Sequence, residues 1–457
     1  MQHRDCRRRS ILPPSLQRVT INQEIVQQRT DEKQGYSLLR GEMVLPWAKN
    51  LENMEVKMKK KYLPVGIDPG RDVCGVSILH PNCDDVISTF KIKNVSFPHA
   101  EKLIEESVRI AYEHGVEEPI FVLEATNVFW RPLFSYLTRR GFTCHTVCAK
   151  QTKYSRGTRM RKTKTDEIDA VHIAKLFKAG ESHPTRFPPE PIMNLRELTR
   201  TYTFLTDMRV MSLNRIGVIL FETFPEFCRI FSTPFIRTAL NLMKKRMVHP
   251  GNLKEASIEE LVLTLSKTSK GKLGREKAEE LIQGAMSTFG IPEAHKAFSQ
   301  ALSSFATLAE DIERTLKSLE EIISEELEKV PQKLLTIPGM GPVSVASFIG
   351  ELGEPSQFQS INQVVAWFGL DPAIKQSGSN EGTGKHISKA GTKYGRRTMW
   401  LAARSFVRSF DKAGKKYQRL LEKRHWIDAL TIIAADLVKI CYAMYRDGTV
   451  FDKSKYR

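Results

Sequence analysis

The hydrophobic pattern changes character three times along the chain. Residues 1–60 are polar, charged and weakly periodic, and they read as a basic N-terminal arm, partly disordered, with one short helix at most. From Tyr62 the pattern becomes short apolar runs. LPVGIDPG is a strand that ends in the Asp-Pro-Gly turn signal, and VCGVSIL and DVISTFKI are two further strands of an opening meander. A helix follows from His99 to His114, with Leu103, Ile104, Val108 and Ile110 on its apolar face. PIFVLEAT is a buried strand, WRPLFSYLTRR a helix, and FTCHTVCA another strand. Thr165 caps a helix from Asp166 to about Lys178 that turns Ile168, Val171 and Leu176 to one side. Three strands followed by alternating helix and strand predict an α/β domain with a mixed sheet over residues 61–186.

Residues 187–330 are almost wholly helical in pattern. Leu302, Phe305, Ala309, Ile312, Leu316, Leu319 and Ile323 step by three and four alternately, which predicts a coiled-coil seam. The seam packs either within the chain or against a second copy. The second copy is favoured here, because an uncovered apolar stripe of this length is costly. That makes 187–330 a helical oligomerisation region. Residues 331–457 form a last, helical domain around a Gly/Ser/Lys-rich loop.

Composition narrows the function. The 457 residues are enough for two to four domains. Lys and Arg number 70 against 52 Asp and Glu, a formal net charge of +18, which points to a polyanionic partner. A merely solubilising surface is the alternative. A membrane is disfavoured, since no long apolar run or signal peptide is seen, and the cytoplasm, beside the nucleoid, is the expected location. Seven dispersed cysteines argue against a disulfide framework, and Cys144 and Cys148 lie in an alternating strand without a second ligand pair at zinc spacing.

The candidate chemistry is acidic. Asp68 ends the first strand and Glu124 ends a buried one, where α/β sheets present their ligand sites. Asp166 and Asp169, three apart, share a helix face. Four carboxylates from two strands and a helix suit Mg²⁺, with Mn²⁺ able to serve in its place, and two such ions about 4 Å apart align and neutralise a phosphodiester cleavage. Without metal the cluster is unfavourable, because unit charges about 4 Å apart repel by about 4 kcal/mol at an effective dielectric of 20. Each acid also has a plain reading. Asp68 fits a turn, and Asp166 and Asp169 fit a helix's first turn, where the dipole favours acids. Glu124, closing an apolar strand, is the hardest to explain that way.

Two sets of motifs resemble one family. GIDPG, VLEAT and KTKTDEIDAVHIAKL, in that order, are similar to the DEDD motifs of the IS110 family of insertion-sequence transposases. IPGMGPVSVASFIGELG, AWFGLDPAIKQSG and ISKAGTKYGRRTMWLAA resemble its C-terminal transposase domain. The resemblance covers about 62–185 and 331–440. It implies an RNase-H-like, RuvC-like mixed-sheet domain, a coiled coil and a helical C-terminal domain with a helix–hairpin–helix-like motif. It implies Mg²⁺ at Asp68, Glu124, Asp166 and Asp169. It also implies a serine nucleophile, carried over as Ser377, that forms a covalent phosphoserine link to donor or target DNA under the guidance of a structured bridge RNA, in a homodimer or homotetramer. The long arm before Asp68 and the extended helical segment depart from the compact family pattern.

Around Ser377, Lys385, Lys389, Lys393, Arg396 and Arg397 could bind the scissile phosphate. A serine in a Ser-Gly loop is most often a turn residue, so Ser377 rests on the resemblance, with Ser379 and Ser388 as alternatives and Ser388 also a possible helix cap. Arg156, Arg159, Arg161, Lys162 and Lys164 run into Asp166 and read either as a backbone-phosphate grip or as a solvated loop. Gly339 and Gly341 read either as a phosphate-binding hairpin or as a packing turn between helices. Trp367, Phe368 and Trp400 read as core before base-stacking platforms. The leading function is thus an RNA-guided transposase. A hydrolytic nuclease or Holliday-junction resolvase and a non-catalytic nucleic-acid scaffold are the competitors.

Overall fold

A computed structural model describes residues 62–125, 127–148, 152, 166–231, 233–372, 376–377, 380–381 and 386–456. The N-terminal arm, Thr165 and its cap, and the basic run Arg156, Arg159, Arg161, Lys162 and Lys164 lie outside them, as do Ser379 and Lys385. The chain divides into two compact units, 1–187 and 188–457.

The first unit is built on one mixed sheet. Its strands are β1 (Leu63–Pro69), β2 (Val73–Leu79), β3 (Val86–Lys93), β4 (Pro119–Glu124), β5 (Cys144–Val147) and β6 (His183–Pro184), in the spatial order β3-β2-β1-β4-β5-β6. β1, β2 and β3 form an antiparallel meander, whereas β4 runs parallel to β1 and β5 parallel to β4. This order and these directions are those of the RNase-H-like fold. Alternation along β1 and β4 sorts two cores. Val65, Ile67, Phe121 and Leu123 pack with α1 (Phe97–Glu113) and α2 (Trp130–Arg139), through Leu103, Ile104, Phe134 and Leu137. On the other face Ile120 and Val122 pack with Ile173 and Leu176 of α3 (Asp166–Lys178). The pattern placed the start of α1 at His99, but Pro98 sits in the first turn, where its missing N–H and fixed φ suit a helix start, so the helix begins at Phe97.

The second unit is helical. α4 (Glu190–Thr223) and α10 (His295–Glu328) are each 34 residues long. Between them lie α5 (Phe227–Ile230), α6 (Arg237–Lys244), α7 (Pro250–Glu255), α8 (Ile258–Ser269) and α9 (Arg275–Met286). Hydrogen bonds from Asn194 to Glu326, Tyr202 to Glu320 and Arg209 to Glu313 fix α4 and α10 as antiparallel neighbours. This corrects the expected partner of the α10 seam. Leu302, Ala309, Ile312, Leu316 and Ile323 are buried within the chain, because α4 runs alongside α10 and α6 packs near Leu302, so a second copy is not needed to cover them.

The C-terminal helices are α11 (Pro342–Leu352), α12 (Ile361–Trp367), α13 (Lys393–Ser409), α14 (Asp411–Leu421) and α15 (Trp426–Asp447). Their core is continuous with Ile192 and Leu195 of α4 and with Ile323 and Leu327 of α10. The short strands β7 (Gln376–Ser377) and β8 (Asn380–Glu381) pair as a hairpin. No helix among the described residues is long and apolar enough to cross a membrane. Cys74, Cys83, Cys144, Cys148, Cys228 and Cys441 form no disulfide among the described residues.

Candidate active site

Strand register places the first two acids side by side. Ile67 of β1 pairs with Leu123 of β4, so the next residues, Asp68 and Glu124, are neighbours at the carboxyl ends of adjacent parallel strands. Ile67 and Leu123 face α1 and α2, so Asp68 and Glu124 face α3 by alternation. The same row continues across the sheet: Asp68 pairs with Gly75 and Gly75 with Lys91.

Helix α3 brings the other pair to this end. Its last turn is tied to the loop between β2 and β3, at the far end of β1. Lys175 Nζ lies 3.0 Å from Asp84 Oδ2, and Lys178 donates to the Cys83 carbonyl at 2.6 Å. Its first turn lies over the acid row, where Glu167 Oε1 is 3.9 Å from Lys91 Nζ. The helix therefore runs antiparallel to β1, with Asp166 and Asp169 at the end that holds Asp68 and Glu124. Gly66 permits this approach. A Cβ there would meet the Ala170 carbonyl oxygen at 2.0 Å and the Ala174 nitrogen at 2.7 Å. A glycine inside a strand marks such a close backbone contact.

The environment is low in water. Asp169 is 2% exposed and Glu124 8%. Asp68 is half-buried, and the Asp166 side chain lies outside the described residues. On the opposite face of the sheet, burial pushes the Cys74 thiol up to about 12 and the Asp68 charge adds to the rise, so Cys74 stays a neutral core residue and not a nucleophile. Among the described residues no group of three or more His, Cys, Asp or Glu stands close enough to hold a metal ion. The donor set itself is all carboxylate oxygen, which suits a hard divalent cation and not a thiol- or imidazole-seeking one. The first turn of α3 adds the positive end of a helix dipole. Lys91 is the site neighbour that the sequence did not reveal. It is 23 residues from Asp68 and reaches its row only through Gly75.

In the second unit, Ser377 lies in β7, and its side chain is outside the described residues. Ser388 is engaged elsewhere: its hydroxyl donates to Asp371 Oδ1 at 2.5 Å and accepts from the Ala390 N–H at 3.3 Å. It does not cap the next helix. Thr392 does, accepting from the Gly395 N–H at 3.2 Å, because it stands directly before the first helical residue. Lys389 and Lys393 are exposed. Arg396 donates to the Phe368 carbonyl at 3.5 Å, and Arg397 pairs with Asp207 at 2.7 Å. Gly339 has φ +79° and packs against the backbone of Ser405 and Phe406, where a Cβ would come within 2.7 Å. Its hydrogens thus serve helix packing. Gly341, the N-cap of α11, remains exposed. Phe368 is core, and Trp367 donates its indole N–H to the Glu351 carbonyl at 2.8 Å. Trp400 is half-buried and packs beside Trp426, with ring centroids 6.0 Å apart.

Two stretches of the chain match family models of known proteins. Residues 65–225 match the DEDD family model of IS110 type, described as "Transposase". Residues 331–419 match the "Transposase IS116/IS110/IS902 family". The insertion element IS116 uncharacterized 44.8 kDa protein of Streptomyces clavuligerus is 24% identical over 302 residues, which cover 63% of this chain and 72% of that protein. The transposase for insertion sequence element IS1328 of Yersinia enterocolitica is 26% identical over 174 residues, 36% of this chain and 51% of that protein. Among solved structures, Thermus thermophilus RuvC in complex with a Holliday junction substrate aligns at 12% identity and a TM-score of 0.20, over 27% of this chain and 99% of RuvC. Two family models, in chain order and together spanning more than half of the sequence, agree with the acid row and its covering helix: the chain belongs to the IS110 family of transposases.

Proposed function

We propose that this transposase cuts and rejoins DNA strands by a divalent-cation-dependent reaction with a serine nucleophile. The observation that carries the reading is the convergence of Asp68, Glu124 and the first turn of α3 on one end and one face of the sheet. Asp68, Glu124, Asp166 and Asp169 would hold Mg²⁺, or Mn²⁺. When bound, the cation would neutralise charge that builds on the scissile phosphate.

The chain's own residues do the rest. Ser377 Oγ gives up its proton and attacks phosphorus. The Oγ–P bond forms as the P–O bond to the departing strand breaks, leaving that strand a free hydroxyl. A hydroxyl from the exchanging strand then reverses the step and frees Ser377. Lys389 and Lys393, exposed beside the loop, would hold the phosphate, together with Lys385 and the run Arg156, Arg159, Arg161, Lys162 and Lys164. Arg396 and Arg397, already bonded to Phe368 and Asp207, would orient the loop more than grip DNA. Gly341, at the start of α11, is the part of the hairpin free to meet a phosphate. Ser377 is preferred to Ser388, whose hydroxyl is held by Asp371.

The +18 charge supports a large nucleic-acid partner, and a guiding RNA fits it as well as DNA does. A homo-oligomer is supported by a second stripe on α4. Phe204, Met211 and Val218 are seven residues apart and exposed, on the face turned away from α10. The test is incubation with Mg²⁺, guide RNA and end-labelled DNA, followed by denaturation. A covalent protein–DNA adduct that survives in Ser388→Ala and disappears in Ser377→Ala supports the reading. Cut DNA with free 5′-phosphate ends and no adduct would make the protein a hydrolytic nuclease instead.

A further inference from the structure

A single carboxamide links the loops that follow the two strand-end acids. Asn94 stands directly after β3. Its Nδ2 donates to the Gly70 carbonyl at 2.8 Å and to the Phe129 carbonyl at 3.1 Å. Gly70 lies two residues beyond Asp68, in a turn closed by Gly70 N–H to Val73 O at 3.0 Å. Phe129 lies five residues beyond Glu124. β1 and β4 are parallel neighbours, so their loops leave the sheet together, and both N–H groups of Asn94 are spent on joining them.

The same residue holds its own position. Its backbone N–H donates to Asp72 O at 2.9 Å, and its Oδ1 accepts from the Val95 N–H at 2.9 Å. Val95 has φ +53°, a left-handed conformation that a β-branched residue rarely adopts, and it is 75% exposed. No packing rewards that conformation. Backbone strain of this kind persists where the surroundings over-determine it, and it gathers at functional sites.

We propose that Asn94 is a positioning residue of the acidic centre, which holds the loops after Asp68 and Glu124 at the separation their carboxylates need to share a divalent cation. Asn94 is two residues on from Ile92, which faces α1 and α2, so it acts from the face opposite the acids and does not touch the cation. The inference rests on the acidic centre being a metal site.

The experiment compares the full-length parent with Asn94→Asp, which keeps the acceptor for Val95 and loses both donors, and with Asn94→Ala combined with Val95→Gly, which keeps the turn foldable without strain. Mn²⁺ binding is read by calorimetry, the Mg²⁺ midpoint of DNA cleavage by titration, folding by circular dichroism, and DNA affinity in EDTA. Outer residues that orient metal ligands typically cost 10–100-fold when lost. Both variants are expected to bind Mn²⁺ about tenfold more weakly, with the Mg²⁺ midpoint raised by the same factor. Folding and metal-free DNA affinity should stay at the parent level. Parental Mn²⁺ affinity in Asn94→Asp, or in Asn94→Ala combined with Val95→Gly, overturns the proposal. Asp68→Asn separates the two readings. If it binds Mn²⁺ like the parent, the acidic centre itself is wrong; if it loses Mn²⁺ while the Asn94 variants do not, only the role of Asn94 falls.

Discussion

Gly66 of β1 and Ala170 of α3 meet backbone to backbone, with no room between them for a single methyl group. This contact sets how close the helix lies to the strand, and so where Asp169 falls relative to Asp68. Gly66→Ala should destabilise the protein by about 1–3 kcal/mol or more, as other overpacked contacts do. Urea unfolding measures it. An unchanged midpoint would mean that α3 lifts from the sheet without cost.

A cation that binds the folded acids stabilises the fold. A ligand at about 100 times its Kd adds about 2.7 kcal/mol. Mg²⁺ should therefore raise the Tm of the parent, and Asp169→Asn should lose most of that shift. Calorimetry with and without Mg²⁺ checks it, and equal shifts in both proteins would remove Asp169 from the site.

Arg200 grips Glu351 in a fork, Nε to Oε1 at 2.6 Å and Nη2 to Oε2 at 3.0 Å. Glu351 is 2% exposed, whereas the Arg200 side chain is 35% exposed. The two truncations should differ. Arg200→Ala strands a buried carboxylate and should cost about 3–5 kcal/mol. Glu351→Ala leaves a guanidinium that still reaches water and should cost less. Thr392, which caps α13, also donates to Glu351, so both changes should loosen the start of that helix. A reversed order in denaturant titrations would contradict the account.

His145 on β5 is buried and shares a 2.9 Å hydrogen bond with Ser182 through Nδ1. Burial holds its pKa down at about 4, while the unfolded ring titrates near 6.5. Between these values the unfolded chain binds more protons, so stability falls as pH drops from about 6.5 to about 4. The full effect is roughly 3 kcal/mol. His145→Gln should flatten the stability profile in that window alone, and a parental slope in the variant would assign the acid sensitivity to other groups.

Much of this was legible locally. Glu124 ends β4 and Asp68 stands one residue before the end of β1, as the apolar runs and the turn signal led one to expect, and Asp169 lies on a helix over Asp166–Lys178. The α10 seam was legible as a seam, but its partner was not. A three-four period says that a stripe must be covered and is silent on what covers it, and α4 lies about a hundred residues away in the chain. Ser388 is a possible cap of the next helix by sequence, but that helix starts at Lys393, and Thr392, directly before it, is the cap.

By itself, then, the sequence determined which segments form strands and helices, which residue types could hold a hard cation, and the family, because periodicity, turn chemistry and motif order are properties of neighbouring residues. The tertiary structure alone decided that Lys91 joins the row of Asp68 through Gly75, that α3 runs antiparallel to β1 against Gly66, and that Asn94 ties the loops after two distant acids. Those relations depend on strand register and helix direction, which are set by pairing between residues far apart in the chain and leave no mark on any single stretch of it.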